Sequence, residues 1–584
     1  MAETGKHRDS FIRLFLRHFK TMALGTVAGL AAMAASVGLL ALAGWFISAA
    51  AFAGLAVVNA HLFNFFYPAI GVRLFAIIRT VARYGERVFS HDATFRILES
   101  LRTWFYRNLE PLAPGRLMRY RSADLLNRIV ADIEALDNLY LRVLSPSIIA
   151  ALLSAGVLIF LWGFAPFIAL TTFLALVVAG VVVPAFTAAL GAAAGCRLAR
   201  RNAQLRTEIV ESLQGMAELL VFGAHGRRLD IIGQTQRSLI KDQQYMSHLR
   251  GASSALLTLV SGGAVLIVTY IGAGLVSRCA LEGPDLALVA LAVLASFEAV
   301  WALPGAYQYL GHTREAGRRL RQIVDAKPTV EFPAQSVVPP AQFDLCFDQV
   351  TFRYHRNVPP ALAGVDFYVP PAGRVAVVGE TGAGKTSLVN LLVRFWDPQQ
   401  GRILMGGQDI CRLSETDLRR RISVVSQQAH MFAASLRENL LLARPQATED
   451  ELVAALERVQ LLDFVRNLPD GLDTWIGEFG QRLSAGQARR LAVARAVLHD
   501  APIWVLDEPT EGLDRITAQQ LMTALDELTA GRTLLLITHR MVDLERMDRI
   551  VLLEGGHIAG QGSHQELLKK NSRYAALQMS CRNI

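Results

Sequence analysis

The chemistry in this sequence is concentrated in the eight residues Gly379–Thr386, GETGAGKT. Glycines at 379, 382 and 384 let the backbone curl so that its N–H groups converge on an anion, and a helix starting behind them adds further donors. Lys385 is placed to reach the β- and γ-phosphates of a nucleotide, and Thr386 to give a hydroxyl oxygen to Mg²⁺. Together Gly379, Glu380, Thr381, Gly382, Ala383, Gly384, Lys385, Thr386 and Ser387 form the expected phosphate-binding set. A second acidic pair, Asp507-Glu508, ends the apolar run Ile503-Trp-Val-Leu. Asp507 is expected beside the Mg²⁺-nucleotide, and Glu508 is positioned to polarise the attacking water as a general base.

These residues need rigid carriers. Arg374–Val378 reads as a buried strand, Ser387–Val393 as the helix after the glycine loop, and 503–506 and 534–537 as two more buried strands. The carriers belong to a globular α/β domain that fills the second half of the chain. The first half is different. The 584 residues are 52% hydrophobic with positive mean hydropathy, too apolar for an ordinary soluble enzyme, and the excess lies before Leu310. Six apolar runs are expected to cross a bilayer: 22–47, one beginning near Leu62, 144–164, one descending to Leu190, 255–276 and 286–310. The connection 48–61 has no Lys or Arg and is expected outside. The connections rich in arginine (Arg79, Arg83, Arg87, Arg96, Arg102, Arg107, and later Arg197 and Arg201) are expected in the cytoplasm. Residues 1–20, with basic residues between Phe11, Ile12, Leu14, Phe15 and Phe19, suit a helix lying on the inner leaflet. The expected division is 1–20 interfacial helix, 21–320 all-α transmembrane domain, 321–342 linker within a charged and then proline-bearing stretch from Arg314, and 343–584 ATP-binding domain.

The net charge of +9 does not point to nucleic acid, because the arginines sit between apolar runs. Cys196, Cys279, Cys346, Cys411 and Cys581 show no paired spacing, hence neither a disulfide framework nor a metal site; Cys196 and Cys279 read as packing residues. A soluble DNA-repair ATPase is excluded by the six apolar runs.

Between the two acidic and glycine-rich sites stands Leu483-Ser-Ala-Gly-Gln487, followed by a helix from Ala488 to Leu498. This resembles the signature of ATP-binding-cassette (ABC) proteins. The resemblance extends to Gln427, to Asp507-Glu508, to Glu511-Gly-Leu-Asp514 and to His539. It implies that Tyr354 stacks on adenine, that Gln427 senses Mg²⁺ and water, that Asp514 contacts the opposite subunit and that His539 holds the γ-phosphate. It also implies that Ser484, Gly486 and Gln487 close over the ATP of a partner domain, so one cassette per chain requires a dimer. Six spans before one cassette is the exporter arrangement of the family. Ala485 stands where the family usually has glycine; an alanine amide still donates, and the expected effect is at most slower turnover.

The segments Leu39–Ser48, Arg83–Phe95 and Asp137–Val143, with Glu438–Ala443 in the cassette, are similar to the CydC family of half-transporters. That likeness implies a heterodimer with a CydD-like ABC half-transporter in the bacterial cytoplasmic (inner) membrane, its ATP-binding domain in the cytoplasm. It implies a role in cytochrome bd assembly through export of cysteine and glutathione, with haem b as the alternative cargo or cofactor. Arg79, Arg83, Arg87 and His91 recur every four residues and share one helical face. Such a face attracts carboxylates, which argues against a general drug or lipid exporter. Arg83, Arg87, His91, Tyr309 and His312 are the candidate cargo or haem residues, and Glu298, costly within an apolar run, is expected to pair with Arg73.

Overall fold

The computed structural model describes residues 11–55, 63–120, 122–335, 342–427, 429–541 and 544–582. The chain divides into two units, Met1–Lys327 and Pro328–Ile584.

The first unit is helical. A short helix, α1 (Phe11–Arg17), ends at His18 and is followed by α2 (Phe19–Ala53); the first half of the expected interfacial helix lies outside the described residues, as does most of the outer connection after Leu55. Then come α3 (Phe66–Leu109), α4 (Asp124–Trp162), α5 (Pro166–Gln214), α6 (His225–Ser277), α7 (Gly283–Gln308) and α8 (Leu310–Val324). Among the described residues five helices, α2 and α4 to α7, are long and apolar enough to cross a membrane, so the chain is a multi-pass membrane protein. The second expected crossing falls on α3, which has the length but carries Arg73, Arg79 and Arg83 in its first eighteen residues. The breaks expected at 111–115, 165–166 and 215–223 lie between helices; a single short helix, Met216–Val221, occupies the last. Residues 314–324, charged enough to read as linker, are helical because every third or fourth side chain (Glu315, Ala316, Arg319, Leu320, Ile323) is buried.

Arginine–carboxylate pairs staple the polar extensions of these helices. Arg197 and Arg201 of α5 both grip Asp242 of α6, at 3.1 and 2.5 Å. Arg200 reaches Glu315 of α8 at 3.1 Å. Arg319 of α8 pairs with buried Asp132 of α4, while Arg128 donates to the Arg319 carbonyl at 2.9 Å and pairs with Asp124 at 2.8 Å. Much of the positive charge that reads as membrane-facing therefore ties helix to helix. Close approach does the rest of the packing: Gly311 lies against Ala192 of α5 so tightly that a Cβ there would collide with the Ala192 carbonyl oxygen and lie 3.0 Å from its Cα.

The second unit is built on two sheets. Strands β1 (Leu345–Phe352), β2 (Leu362–Val369), β4 (Gln400–Met405) and β5 (Gln408–Asp409) form an antiparallel sheet in the order β2-β1-β4-β5. The other sheet has the order β10-β9-β3-β8-β7-β6, from β3 (Arg374–Val378), β6 (Ile422–Val425), β7 (Ile503–Asp507), β8 (Thr533–Thr538), β9 (Arg549–Glu554) and β10 (His557–Gly562). Its β9-β3-β8-β7-β6 portion is parallel. Both faces are covered, so alternate residues serve opposite cores. Val375, Val377, Val505 and Leu535 face the antiparallel sheet's core, while Ala376, Trp504, Leu506 and Leu536 enter a second, largely helical core. In such sheets ligands bind beyond the carboxyl ends of the strands. Strands β3, β8, β7 and β6 are neighbours, and at their carboxyl ends stand Gly379, His539, Glu508 and Gln427.

Replacing Gly311 by alanine forces α8 away from α5 and costs about 1–3 kcal/mol. The purified protein in detergent is expected to lose apparent melting temperature; an unchanged melting curve would show that the two helices do not meet at Gly311.

Candidate functional site

The loop after β3 turns sharply at Gly382 and Gly384, with φ of 87° and 103°. Any side chain at 384 would also collide with the Ala361 carbonyl and lie 3.0 Å from Leu362, so glycine is required by conformation and by space. Helix α9 (Lys385–Leu392) begins directly behind it. Lys385 is buried and its ammonium donates to the carbonyls of Gly379 (2.7 Å) and Glu380 (3.1 Å). Burial pushes its pKa down, partly offset by Glu508 and Asp507. The cation is thus held over the loop by weak partners that a phosphate oxygen can replace.

Asp507 is the last residue of β7 and Glu508 follows with φ of 51°, the left-handed region that a glutamate seldom adopts. Its N–H is fixed on the Ile537 carbonyl of β8 at 2.8 Å. That twist turns the carboxylate toward His539: Oε2 lies 2.7 Å from Nδ1 and accepts from the His539 backbone N–H at 3.3 Å. The other oxygen, Oε1, is 3.9 Å from the Lys385 ammonium. Lys385, Glu508 and His539, 154 residues apart in sequence from first to last (539 − 385), share one cluster because β3, β8 and β7 are adjacent.

Asp507 is buried at 3% exposure, and its Oδ1 has no hydrogen-bond partner. Burial first, and the neighbouring Glu508 second, push its carboxyl up to about 6, opposed by a hydrogen bond with Thr386 and by Lys385. A bare buried carboxylate oxygen beside a threonine hydroxyl is a set of hard oxygen donors that fits Mg²⁺, which takes one or two carboxylates plus substrate phosphates.

Gln427 donates from Nε2 to Glu511 at 2.8 Å. Its backbone is clamped by Arg489, which the sequence reading passed over: the buried guanidinium donates to the carbonyls of Ser426 and Gln427, both at 2.7 Å. The available signal was an arginine two residues beyond the Ser-Ala-Gly-Gln motif, on the buried face of the helix that follows it. That helix, α10 (Ala485–His499), is capped reciprocally by Ser484 and Gln487, with Gln487 N–H to Ser484 Oγ at 3.2 Å and Ser484 N–H to Gln487 Oε1 at 2.8 Å. Ala485 takes the first helical position with an ordinary backbone, so glycine is not required there, and Ser484 and Ala485 are exposed. Asp514 caps α11 (Arg515–Leu528), accepting from Ile516 and Thr517 N–H at 3.0 Å each; a hydrogen bond from the Thr517 side chain first, and these backbone bonds after it, lower its pKa. Tyr354 packs edge-on against Trp396, and its hydroxyl is 3.1 Å from Ser387 Oγ and from Asn390 Nδ2, which fixes the ring beside the start of α9.

In the membrane unit the cationic face is partly neutralised. Glu298 pairs with Arg83 at 3.5 Å and accepts from Ser36 at 3.1 Å; Arg83, one helical turn further along α3 than Arg79, takes the place expected for Arg73. His91 Nδ1 bonds to the Arg87 carbonyl of its own helix at 2.8 Å. Tyr309 lies under the Arg250 guanidinium, 5.7 Å from it. Among the described residues no hydrogen bond or ring contact joins His91 to Tyr309 or His312, and haem enters no step below. Cys196 packs, with Sγ 3.3 Å from the Gly311 carbonyl. Cys279 does not: it is exposed on the turn between α6 and α7, with φ of 56°, because the chain reverses there.

Residues 362–511 match the family model described as ABC transporter, and residues 19–296 the one described as ABC transporter transmembrane region. The chain is 41% identical, over 97% of its length and 98% of the relative's, to the glutathione/L-cysteine transport system ATP-binding/permease protein CydC of Escherichia coli K12. It is 35% identical over the same shares to the protein of that name in Haemophilus influenzae. In fold it is similar to a bacterial Atm1-family ABC exporter with ATP bound, at a TM-score of 0.80 and 24% identity, covering 98% of this chain and 99% of that one.

Asp507 gives a pH test. Its folded-state pKa, about 6, is raised above the ordinary 3.8. The folded state therefore favours the protonated acid: this contribution is fully present below about pH 4 and is lost as pH rises through about 6, on the order of 3 kcal/mol in all. Mg²⁺ needs the carboxylate. The rise in melting temperature on adding Mg²⁺ with nucleotide is expected to be larger at pH 7.5 than at pH 5.5. Asp507→Asn should melt higher than the wild type at pH 7.5 without Mg²⁺, and gain less from adding it.

Proposed function

The chain belongs to the ABC transporter family, and from that membership we propose that it is one half of an ATP-driven exporter of small anionic thiols, cysteine or glutathione, in support of cytochrome bd assembly. The observation that carries this reading is the likeness from end to end of the chain to subunits named for glutathione and L-cysteine transport. The working unit is a heterodimer with a CydD-like half-transporter, since the single signature with its exposed Ser484 needs a second cassette to close upon. Six crossings of the cytoplasmic membrane are the topology this reading requires, the second carried by α3 beside the five apolar helices. An even count returns the ATP-binding unit to the side of the basic N-terminal segment, and the arginine-rich extensions fit the cytoplasm. The division that goes with this reading is an interfacial segment at 1–20, a membrane domain at 21–320, a linker at 321–342 and a cassette at 343–584.

Hydrolysis follows from the strand-end cluster. At rest Lys385 is spent on loop carbonyls and Glu508 on His539. A bound triphosphate draws Lys385 and His539 to its β- and γ-oxygens, which frees the Glu508 carboxylate. Asp507, Thr386 and Gln427 would hold Mg²⁺, which supplies charge neutralisation of the phosphates when bound. Glu508 takes the proton of a water whose oxygen bonds to the γ-phosphorus as the bond to ADP breaks. Tyr354 sits at the adenine end; Ser484, Gly486 and Gln487 face the partner's nucleotide, and Asp514 the partner's cassette. ATP closes the two cassettes, and the stapled helical extensions carry that closure to the membrane helices.

Glu508→Gln should lower kcat for ATP by roughly a hundredfold or more with little change in KM, measured as phosphate release from the heterodimer in nanodiscs with the partner's own catalytic acid also replaced. ATP-dependent thiol uptake into inverted vesicles should fall with it. Uptake at the normal rate in that double variant would sink the proposal.

A further inference from the structure

Helix α7 is not continuous. It leaves α-geometry at Phe297, passes through a 3-10 turn and a bend to Ala302, and resumes at Leu303. The N–H groups of Val300, Trp301 and Leu303 keep carbonyl partners three or four residues back, so the interruption is a tightened turn and not an opened one. Here it lines a cavity of about 380 Å³, whose wall includes Trp301 and Gly305 from the break, Arg142 from α4, and Arg250, Ser253 and Ser254 from α6. The size is at the lower end of small-molecule sites.

The charge of this cavity is only partly matched, by the attraction of Arg142 to Asp137. Arg83 is committed to Glu298, and the arginines of the helical extensions are committed to Asp242, Glu315, Asp132 and Asp124. Among the described residues Arg142 and Arg250 form no salt bridge. Arg250 is held in place by Tyr309, whose ring faces its guanidinium at 5.7 Å, and it passes over Gly305, where a Cβ would lie 3.9 Å from Nε. Both arginines stand one turn before the apolar stretches of α4 and α6 begin, on the side of the polar extensions. Two guanidinium groups without a salt bridge, two serine hydroxyls and an indole wall make a receptor for an oxyanion with a small organic body.

We propose that this cavity is the cargo-binding site and that Arg142 and Arg250 receive carboxylates of the solute. The proposal rests on the thiol-exporter reading for its probe, glutathione, which carries two carboxylates. A lipid phosphate offers the same oxyanion chemistry, so lipid composition is an arm of the test.

The heterodimer is placed in nanodiscs of phosphatidylcholine alone or with phosphatidylglycerol, and binding of radiolabelled glutathione is measured. Arg250→Gln and Arg142→Gln are each expected to weaken binding tenfold or more in both bilayers, and Arg250→Lys to weaken it less. Gly305→Leu, which fills the cavity without altering its charge, should also weaken binding. Arg237→Gln, an exposed arginine of the same helix, should leave it unchanged, and glutathione diethyl ester should bind no better to the wild type than to the arginine variants. Unaltered affinity in both arginine variants overturns the proposal, as does an arginine effect confined to phosphatidylglycerol bilayers, which would assign the cavity to a lipid headgroup. Transport by the same proteins reconstituted in sealed liposomes separates the two readings. Thiol export with unaltered affinity in the variants sinks the cavity alone; Arg250-dependent binding without export sinks the exporter reading alone.

Discussion

The structure depends on placing an ammonium, a carboxylate and an imidazole at the ends of three adjacent buried strands with nothing but one another and a few carbonyls for company. Desolvation makes the Lys385 ammonium and the Glu508 carboxylate costly, and the cost is tolerable because each has a partner while the site waits, Lys385 in the loop carbonyls and Glu508 in the exposed His539. The same mutual engagement makes the site responsive. A polyanion offers Lys385 and His539 better partners than they have, and their departure exposes the one acid able to take a proton. Asp507, with an oxygen left bare, supplies the complementary demand for a cation. The parallel sheet fixes this geometry: β7 and β8 are in register from Ile503 with Thr533 to Asp507 with Ile537, so a slip of one residue would turn the acid away from the histidine.

A second pairing rule governs the helical unit. Arginine–carboxylate pairs lie at the crossings of the long polar extensions, several of them half-buried, where they set register and direction more than net stability. Rigid extensions of this kind transmit a displacement; flexible ones would absorb it. The arginines left out of these pairs are the ones with charge to offer a solute.

Much of this was legible in the sequence, unevenly. The glycine loop, the two acidic strand ends, the signature and the histidine follow from local patterns because each needs fixed residue types at fixed spacing, and the strands flanking them are continuous apolar runs. Which of these residues touch was not legible, since strand order is a long-range property. Arg489 shows the limit well. It looks like an ordinary helix arginine, and only the fold turns it inward onto the Gln427 carbonyl. In the membrane unit the apolar runs marked most crossings, but α3 mixes arginines with its apolar residues and blurs the count. The partner of Glu298 was misassigned because Arg73 and Arg79, ten and four residues before Arg83, lie on the same helix, and side-chain reach decides among the three. Residues 314–324 read as linker from charge alone, although burial recurs along one face of that stretch.

The interruption of α7 has a consequence beyond cargo. The N–H groups of Val300, Trp301 and Leu303 still find carbonyls three or four residues back, so an apolar wall can depart from straight α-geometry there without leaving those donors bare.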